Sequence, residues 1–250
     1  MRILISNDDG IHAAGLRPLE QALSALGEVW VVAPEREQSA QSHALTMHKP
    51  LRIRRKEPRW YSVSGTPADC VYVALHHLLD QAPAIVVSGI NRGANLGNDV
   101  LYSGTVAAAM EATLHGVPAV AVSLYVEWGT GERDHSWDTA AQVALKVAQR
   151  VVNDGLPPRV LLNVNVPDRP AHELSGVRNA SMGVRHYEAQ VDERRDPRGR
   201  RYYWIGGRHE RFEAIKDSDG PLIEQGYATV TPIRADMTSY AALKAMKPWG

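Results

Sequence analysis

Through about residue 166 the chain alternates short, continuously apolar runs with stretches of helical periodicity. Arg2–Ser6, Glu28–Ala33, Ala84–Ser88, Ala119–Leu124 and Arg159–Val166 read as strands. Runs that are apolar at nearly every position, rather than at alternate ones, suit parallel strands covered on both faces. Between them, Leu16, Leu19, Leu23 and Leu26 form a stripe closed by Gly27, the spacing and the stop of a helix. Thr66-Pro67-Ala68-Asp69 combines a capping hydroxyl, a first-turn proline and an acidic third position, and predicts a helix running to about Leu79. Thr105–His115 is Ala-rich and ends at Gly116, and Asp138–Val152 sets Val143, Ala144, Val147 and Val151 on one face. The alternation predicts an α/β fold with a doubly wound, mostly parallel, Rossmann-like sheet.

After Pro167 the pattern changes. Gly, Arg and aromatic residues mix with short extended runs such as Arg201–Ile205 and Tyr227–Ile233. The charged stretch Asp192–Arg201 reads either as an arm for a ligand or as a solvated hairpin tip, and charge runs are usually the latter. The expected organisation is an α/β core over 1–167 and a β-rich extension over 168–250. The extension has apolar faces to bury and folds with the core or with a neighbouring subunit.

Charge narrows the partners. Lys plus Arg number 28, as do Asp plus Glu, so no global field favours a nucleic-acid polymer or an anionic membrane. The single cysteine, Cys70, excludes an internal disulfide framework. No apolar run is long enough for a membrane span or a signal-peptide core, so the cytoplasm is the expected location.

Ligands of open α/β sheets bind beyond the carboxyl ends of the strands, and three polar clusters fall at such places. The first is Ser6-Asn7-Asp8-Asp9-Gly10, directly after the first strand. Adjacent carboxylates repel each other unless a cation or donors sit between them. Oxygen ligands of this kind suit Mg²⁺, Mn²⁺ or Ca²⁺ rather than Zn²⁺. The plainer reading is a turn at Asp9-Gly10 with Asp8 as a cap. The second cluster is the Gly/Asn-rich run from Ser88 to Asp99. Asn91 and Asn95 offer amide oxygens to a cation and amide hydrogens to a phosphate, although loop flexibility alone accounts for the glycines. The third is Tyr102-Ser103-Gly104-Thr105, just before the Ala-rich helix, where free N–H groups and the helix dipole attract an anion. Simple N-capping by Ser103 or Thr105 competes with that reading. No G-x-G-x-x-G, P-loop, Asp-x-Asp or Gly-x-Ser-x-Gly pattern is present in these segments. His12, His43, His48 and the pair His76-His77 lack metal-ligand spacing.

Taken together, "RILISNDDGIHAAGL", "VVAPEREQSAQSHALT", "VSGTPADCVYVAL", "IVVSGINRGANLGNDVLYSGTVAAAMEA" and "GYATVTPIRADMTSY" resemble the SurE survival-protein family of nucleotidases over residues 1 to about 240, more loosely from about 125 to 220. The resemblance implies one divalent cation per subunit, Mg²⁺ or Mn²⁺, held by Asp8, Asp9, Ser39 and Asn91. It implies phosphate binding by Asn95, Ser103, Gly104 and Thr105. It also implies hydrolysis of nucleoside 5′- and 3′-monophosphates, and sometimes short polyphosphate, in a cytoplasmic dimer or tetramer with exchanged C-terminal segments. In one place the chain departs from the family pattern. Ala40 follows Ser39 where the family has Gly, and Ala reaches positive φ less readily, which bears on how the loop seats Ser39. The expected activity is a phosphomonoesterase in which Asp8 and Asp9 are catalytic and a metal-activated water attacks. The alternative is a non-catalytic nucleotide or phosphate sensor with the same metal site.

Overall fold

A computed structural model describes residues 1–126, 135–207, 209–247 and 249. Every expected strand and helix of the first 167 residues is present. The strands are β1 (Arg2–Ser6), β2 (Glu28–Pro34), β3 (Ile53–Glu57), β4 (Trp60–Val63), β5 (Ile85–Arg92), β6 (Ala119–Tyr125) and β7 (Val160–Pro167). The helices are α1 (Leu16–Leu23), α2 (Pro67–Val73), α3 (Gly104–Leu114) and α4 (Trp137–Asp154). Thr66 caps α2 in a reciprocal capping box with Asp69, and a π-helical turn, Ala74–Leu78, carries the helix on to the length read from the sequence.

In the apolar runs consecutive side chains enter different cores. Ile3 and Ile5 of β1 pack with Leu16, Leu19 and Leu23 of α1 and with the apolar face of α4. Leu4, between them, packs with Cys70 and Val71 of α2 and with Ala108 and Ala109 of α3. A strand covered on both faces has no side left for polar residues. The chain is therefore an α/β protein with a mostly parallel sheet, as the pattern predicts.

Within the sheet the parallel strands run β4-β2-β1-β5-β6-β7, and the order reverses direction between β1 and β5. That gap beyond the carboxyl ends is where an open α/β sheet takes its ligand. The expected strand Ala84–Ser88 is longer than the pattern suggested. After an irregularity between Ser88 and Asn91 it rejoins β6, pairing Asn91 with Ser123 and Arg92 with Leu124. The glycine that reads as a loop start is instead a close approach, since a Cβ on Gly89 would lie 2.2 Å from the Val122 carbonyl oxygen.

Beyond Pro167 the chain adds β8 (Gly176–Asn179), β9 (Arg185–Tyr187), β10 (Gln190–Arg195), β11 (Arg201–Gly206), β12 (His209–Phe212) and β13 (Tyr227–Arg234), with helices α5 (Asp219–Glu224) and α6 (Tyr240–Ala245). β13 pairs antiparallel with β7 and carries β8, so the sheet has nine strands. The charged stretch is a hairpin: β10 and β11 pair up to Arg195–Arg201, and Asp196 accepts the N–H groups of Arg198 and Arg200 at 2.9 Å. Among the described residues no helix is long and apolar enough to cross a membrane.

Candidate active site

The exit from β1 is built by Asn7, which is fully buried. Its side chain donates to the Gly10 carbonyl and accepts the Gly10 N–H, at 3.0 and 3.2 Å. This closes a turn that needs φ of +96° at Gly10. Asp8 is thereby set against the first turn of α3, where its Oδ1 accepts the Thr105 hydroxyl. A Cβ on Gly104 would sit 2.8 Å from the Cβ of Asp8, so that approach is open only to glycine. The anion seated at this helix end is thus the Asp8 carboxylate itself. Ser103 caps α3, accepting the Val106 N–H at 3.0 Å. Of the two readings of this segment, the N-cap at Ser103 is the one the structure displays.

Burial pushes the Asp8 carboxyl above its ordinary pKa, opposed chiefly by the Thr105 hydroxyl. Asp9 is pushed up to about 6, first by burial and then by the charge of Asp8, with the Arg92 N–H opposing at 3.1 Å. Adjacent carboxylates, of which Asp8 raises the proton affinity of Asp9, form a site that attracts a cation. Glu37 adds to the same negative field, and it accepts the Ser39 hydroxyl at 2.8 Å.

Ser39 lies in the loop after β2, and Ala40 beside it does adopt the left-handed conformation, with φ +59°. The alanine tolerates the backbone that suits glycine, at some cost in strain. Ala40→Gly is expected to leave the unfolding free energy unchanged or raise it by up to about 1.5 kcal/mol, the left-handed penalty of about 1–2 kcal/mol less the extra chain entropy of glycine, about 0.5–1 kcal/mol. A urea midpoint that falls would show that Ala40 carries less strain than glycine costs in chain entropy.

Asp8, Ser39, Asn91, Asn95 and Ser103 line one pocket of about 500 Å³. Asp9 adjoins it through Arg92, and Gly104 and Thr105 stand behind Asp8. Asn91 donates its amide to the Gly93 carbonyl at 2.7 Å, and among the described residues its amide oxygen has no donor. Among the described residues no three His, Cys, Asp or Glu side chains converge on a cation position. An ion here would rest on two carboxylates completed by neutral oxygens such as those of Ser39 and Asn91.

Several contributors were not anticipated. Asn95 is held by Asn163 and Asn165 of β7, which donate to its carbonyl at 2.8 and 3.0 Å. Asn165 also accepts its N–H at 2.8 Å, and Ser123 accepts its side-chain amide at 2.7 Å. The signal was present: Asn163 and Asn165 alternate within an otherwise apolar strand and are both fully buried. Asp219 ties the loop to the extension by accepting N–H groups from Gly97, Gly183 and Gly220. Arg185 and Tyr187 of β9 and Asp99 complete the pocket wall.

A doubly wound sheet with a polar pocket at its reversal point defines an α/β protein of the kind that binds a small ligand beyond the carboxyl ends of its strands. A family model described as "Survival protein SurE" matches residues 3–189, and the chain belongs to the SurE family. A relative from Geotalea uraniireducens, named 5′-nucleotidase SurE, is 50% identical over 249 residues, covering 100% of this chain and 99% of its own. A relative of the same name from Anaeromyxobacter sp. is 51% identical over 252 residues, covering 100% and 96%. The crystal structure of the SurE protein from Aquifex aeolicus superposes with a TM-score of 0.86 at 37% identity, covering 99% of this chain and 98% of that one.

Proposed function

We propose that this chain hydrolyses nucleoside 5′- and 3′-monophosphates, and short polyphosphate, in the pocket at Asp8 and Asp9, using one Mg²⁺ or Mn²⁺ ion per subunit. By reaction class it is a 5′-nucleotidase, a phosphoric monoester hydrolase, in keeping with its family and its full-length relatives. The observation that carries the reading is the adjacent pair of buried Asp8 and half-buried Asp9, the first lining and the second adjoining a pocket that also holds neutral oxygen donors.

The donor chemistry fits such an ion, because Asp8, Asp9, Ser39 and Asn91 offer oxygen alone, the preference of a hard cation. When bound, the ion supplies positive charge to the phosphoryl oxygens and makes water more acidic. Thr105 fixes the orientation of Asp8. The amide of Asn95 and the hydroxyl of Ser103 are the donors for the non-bridging phosphate oxygens, while Gly104 and Thr105 act from behind Asp8 through the dipole of α3. Water, rather than a carboxylate, is the proposed attacking group, because a carboxylate whose charge is drawn to a cation would be a poor nucleophile.

A panel of nucleoside monophosphates and p-nitrophenyl phosphate, assayed with Mg²⁺ and with Mn²⁺, tests the reading. Release of inorganic phosphate from the nucleotides is expected. Nucleotide binding with no release would make the chain a sensor instead.

The extension is proposed to join subunits into a dimer or tetramer. Hairpin β10–β11 turns Val191, Tyr203, Trp204 and Ile205 to solvent, with Ile205 92% exposed, and α6 has no buried residue. Isolated hairpins are marginal in water, and exposed apolar surface of this kind marks contact sites. Sedimentation at micromolar concentration is expected to give a dimer or larger, and a well-behaved monomer would remove this proposal. The lone cysteine, buried and unpaired, suits a reducing compartment, and we assign the chain to the cytoplasm.

A further inference from the structure

A pocket of about 500 Å³ holds more than a phosphate group. It lies within the range of about 300–1,000 Å³ that encloses a whole small ligand. Part of its wall is made by groups that serve neither cation nor phosphate. Asp99, from the turn that follows Asn95, meets Arg185 and Tyr187 of β9 there. Its Oδ2 accepts from the Arg185 guanidinium at 2.8 Å and from the Tyr187 hydroxyl. Both charged side chains are largely shielded, Arg185 being 15% and Asp99 16% exposed. One acceptor position is left over at this wall. Oδ1 of Asp99 has no donor among the described residues.

Charge decides which part of a substrate belongs there. The guanidinium is already met by Asp99, so the cluster offers little net attraction for a phosphate dianion. A carboxylate oxygen with spare lone pairs repels phosphate and accepts from hydroxyl groups. A phosphate is thereby directed to Asn95 and Ser103, and the Asp99 wall falls to the leaving group. A sugar carrying neighbouring hydroxyls matches an acceptor-only carboxylate, and acidic residues recognise ribose in this way on other α/β sheets.

We propose that Asp99, positioned by Arg185 and Tyr187, accepts hydrogen bonds from the sugar hydroxyls of the nucleoside leaving group. The residues that distinguish one phosphate ester from another are thus partly supplied by β9, outside the strands that carry the cation and phosphate ligands. The inference rests on the nucleotidase reading and deepens it.

The test compares kcat/KM for adenosine 5′-monophosphate, its 2′,3′-dideoxy analogue and p-nitrophenyl phosphate, in the wild type, Asp99→Ala and Asp99→Asn. The wild type is expected to prefer the ribonucleotide over the dideoxy analogue by about tenfold or more, the scale of one hydrogen bond to a charged group. Asp99→Ala should erase that preference and lower the ratio of ribonucleotide to p-nitrophenyl phosphate by a similar factor, with Asp99→Asn between the two. A wild type indifferent to the sugar hydroxyls overturns the proposal, and this comparison needs no variant to fold. An equal fall on all three substrates in Asp99→Ala also overturns it, since Asp99 would then act only on the pocket's shape. A wild type that hydrolyses p-nitrophenyl phosphate and no nucleotide overturns the nucleotidase reading itself.

Discussion

Asp9→Asn is expected to lower turnover of a nucleoside monophosphate by about a hundredfold or more while leaving the protein folded. The magnitude is that of removing one preorganised electrostatic group from an active site. The direction of the stability effect follows from the charges around it. Burial and the neighbouring Asp8 already push the Asp9 carboxyl up to about 6, and Glu37 adds to the repulsion. In the metal-free protein a neutral amide relieves that repulsion and can still accept the Arg92 N–H. Asp8→Asn should be as damaging to activity but less benign to the fold, because Asp8 also receives the Thr105 hydroxyl at the start of α3. Initial rates paired with circular-dichroism melting curves check both variants. Loss of the folded signal in Asp9→Asn, or activity within a few fold of wild type, would mean that Asp9 is only a turn residue.

Chelation is the second large effect. Protein treated with EDTA and freed of chelator is expected to lose nearly all phosphatase activity and to recover it on adding Mg²⁺ or Mn²⁺. The reason is the all-oxygen set around two carboxylates that burial leaves poorly satisfied. A readout independent of catalysis comes from linkage: an ion that binds only the folded state raises its stability in proportion to the logarithm of its concentration. The melting temperature of the metal-free protein should therefore climb with added Mn²⁺ in the absence of substrate, and much less so in Asp9→Asn. Full activity after rigorous metal removal, with no shift in melting, would sink the cation assignment.

Reading the chain in order already yields the frame of this protein. Continuous apolar runs required strands buried on both faces, and in β1 Ile3 and Ile5 do enter one core while Leu4 enters the other. The capping box of Thr66 and Asp69 and the cap at Ser103 were legible because they are contacts within one helical turn. The same locality made Asp8, Asp9, Asn91 and Ser103 visible, since each stands where a strand ends or a helix begins. The pair β3 and β4 escaped notice because β3 is an edge strand whose residues Arg54, Arg55, Lys56 and Glu57 are all exposed. Charged edges carry little of the apolar pattern that announces a strand.

What the order of residues did not disclose is which distant groups close the pocket. Thr105 reaches Asp8 across 97 positions, Asn165 holds Asn95 across 70, and Arg185 meets Asp99 across 86. None of these pairs has a spacing that local geometry imposes. They meet because parallel strands bring their carboxyl ends to one edge of the sheet, and because β13 and Asp219 fasten the later chain beside that edge. Periodicity and caps are short-range physics and can be read along a line. Convergence of hydrogen-bonding groups depends on how whole elements stack, and that was decided only by the tertiary fold.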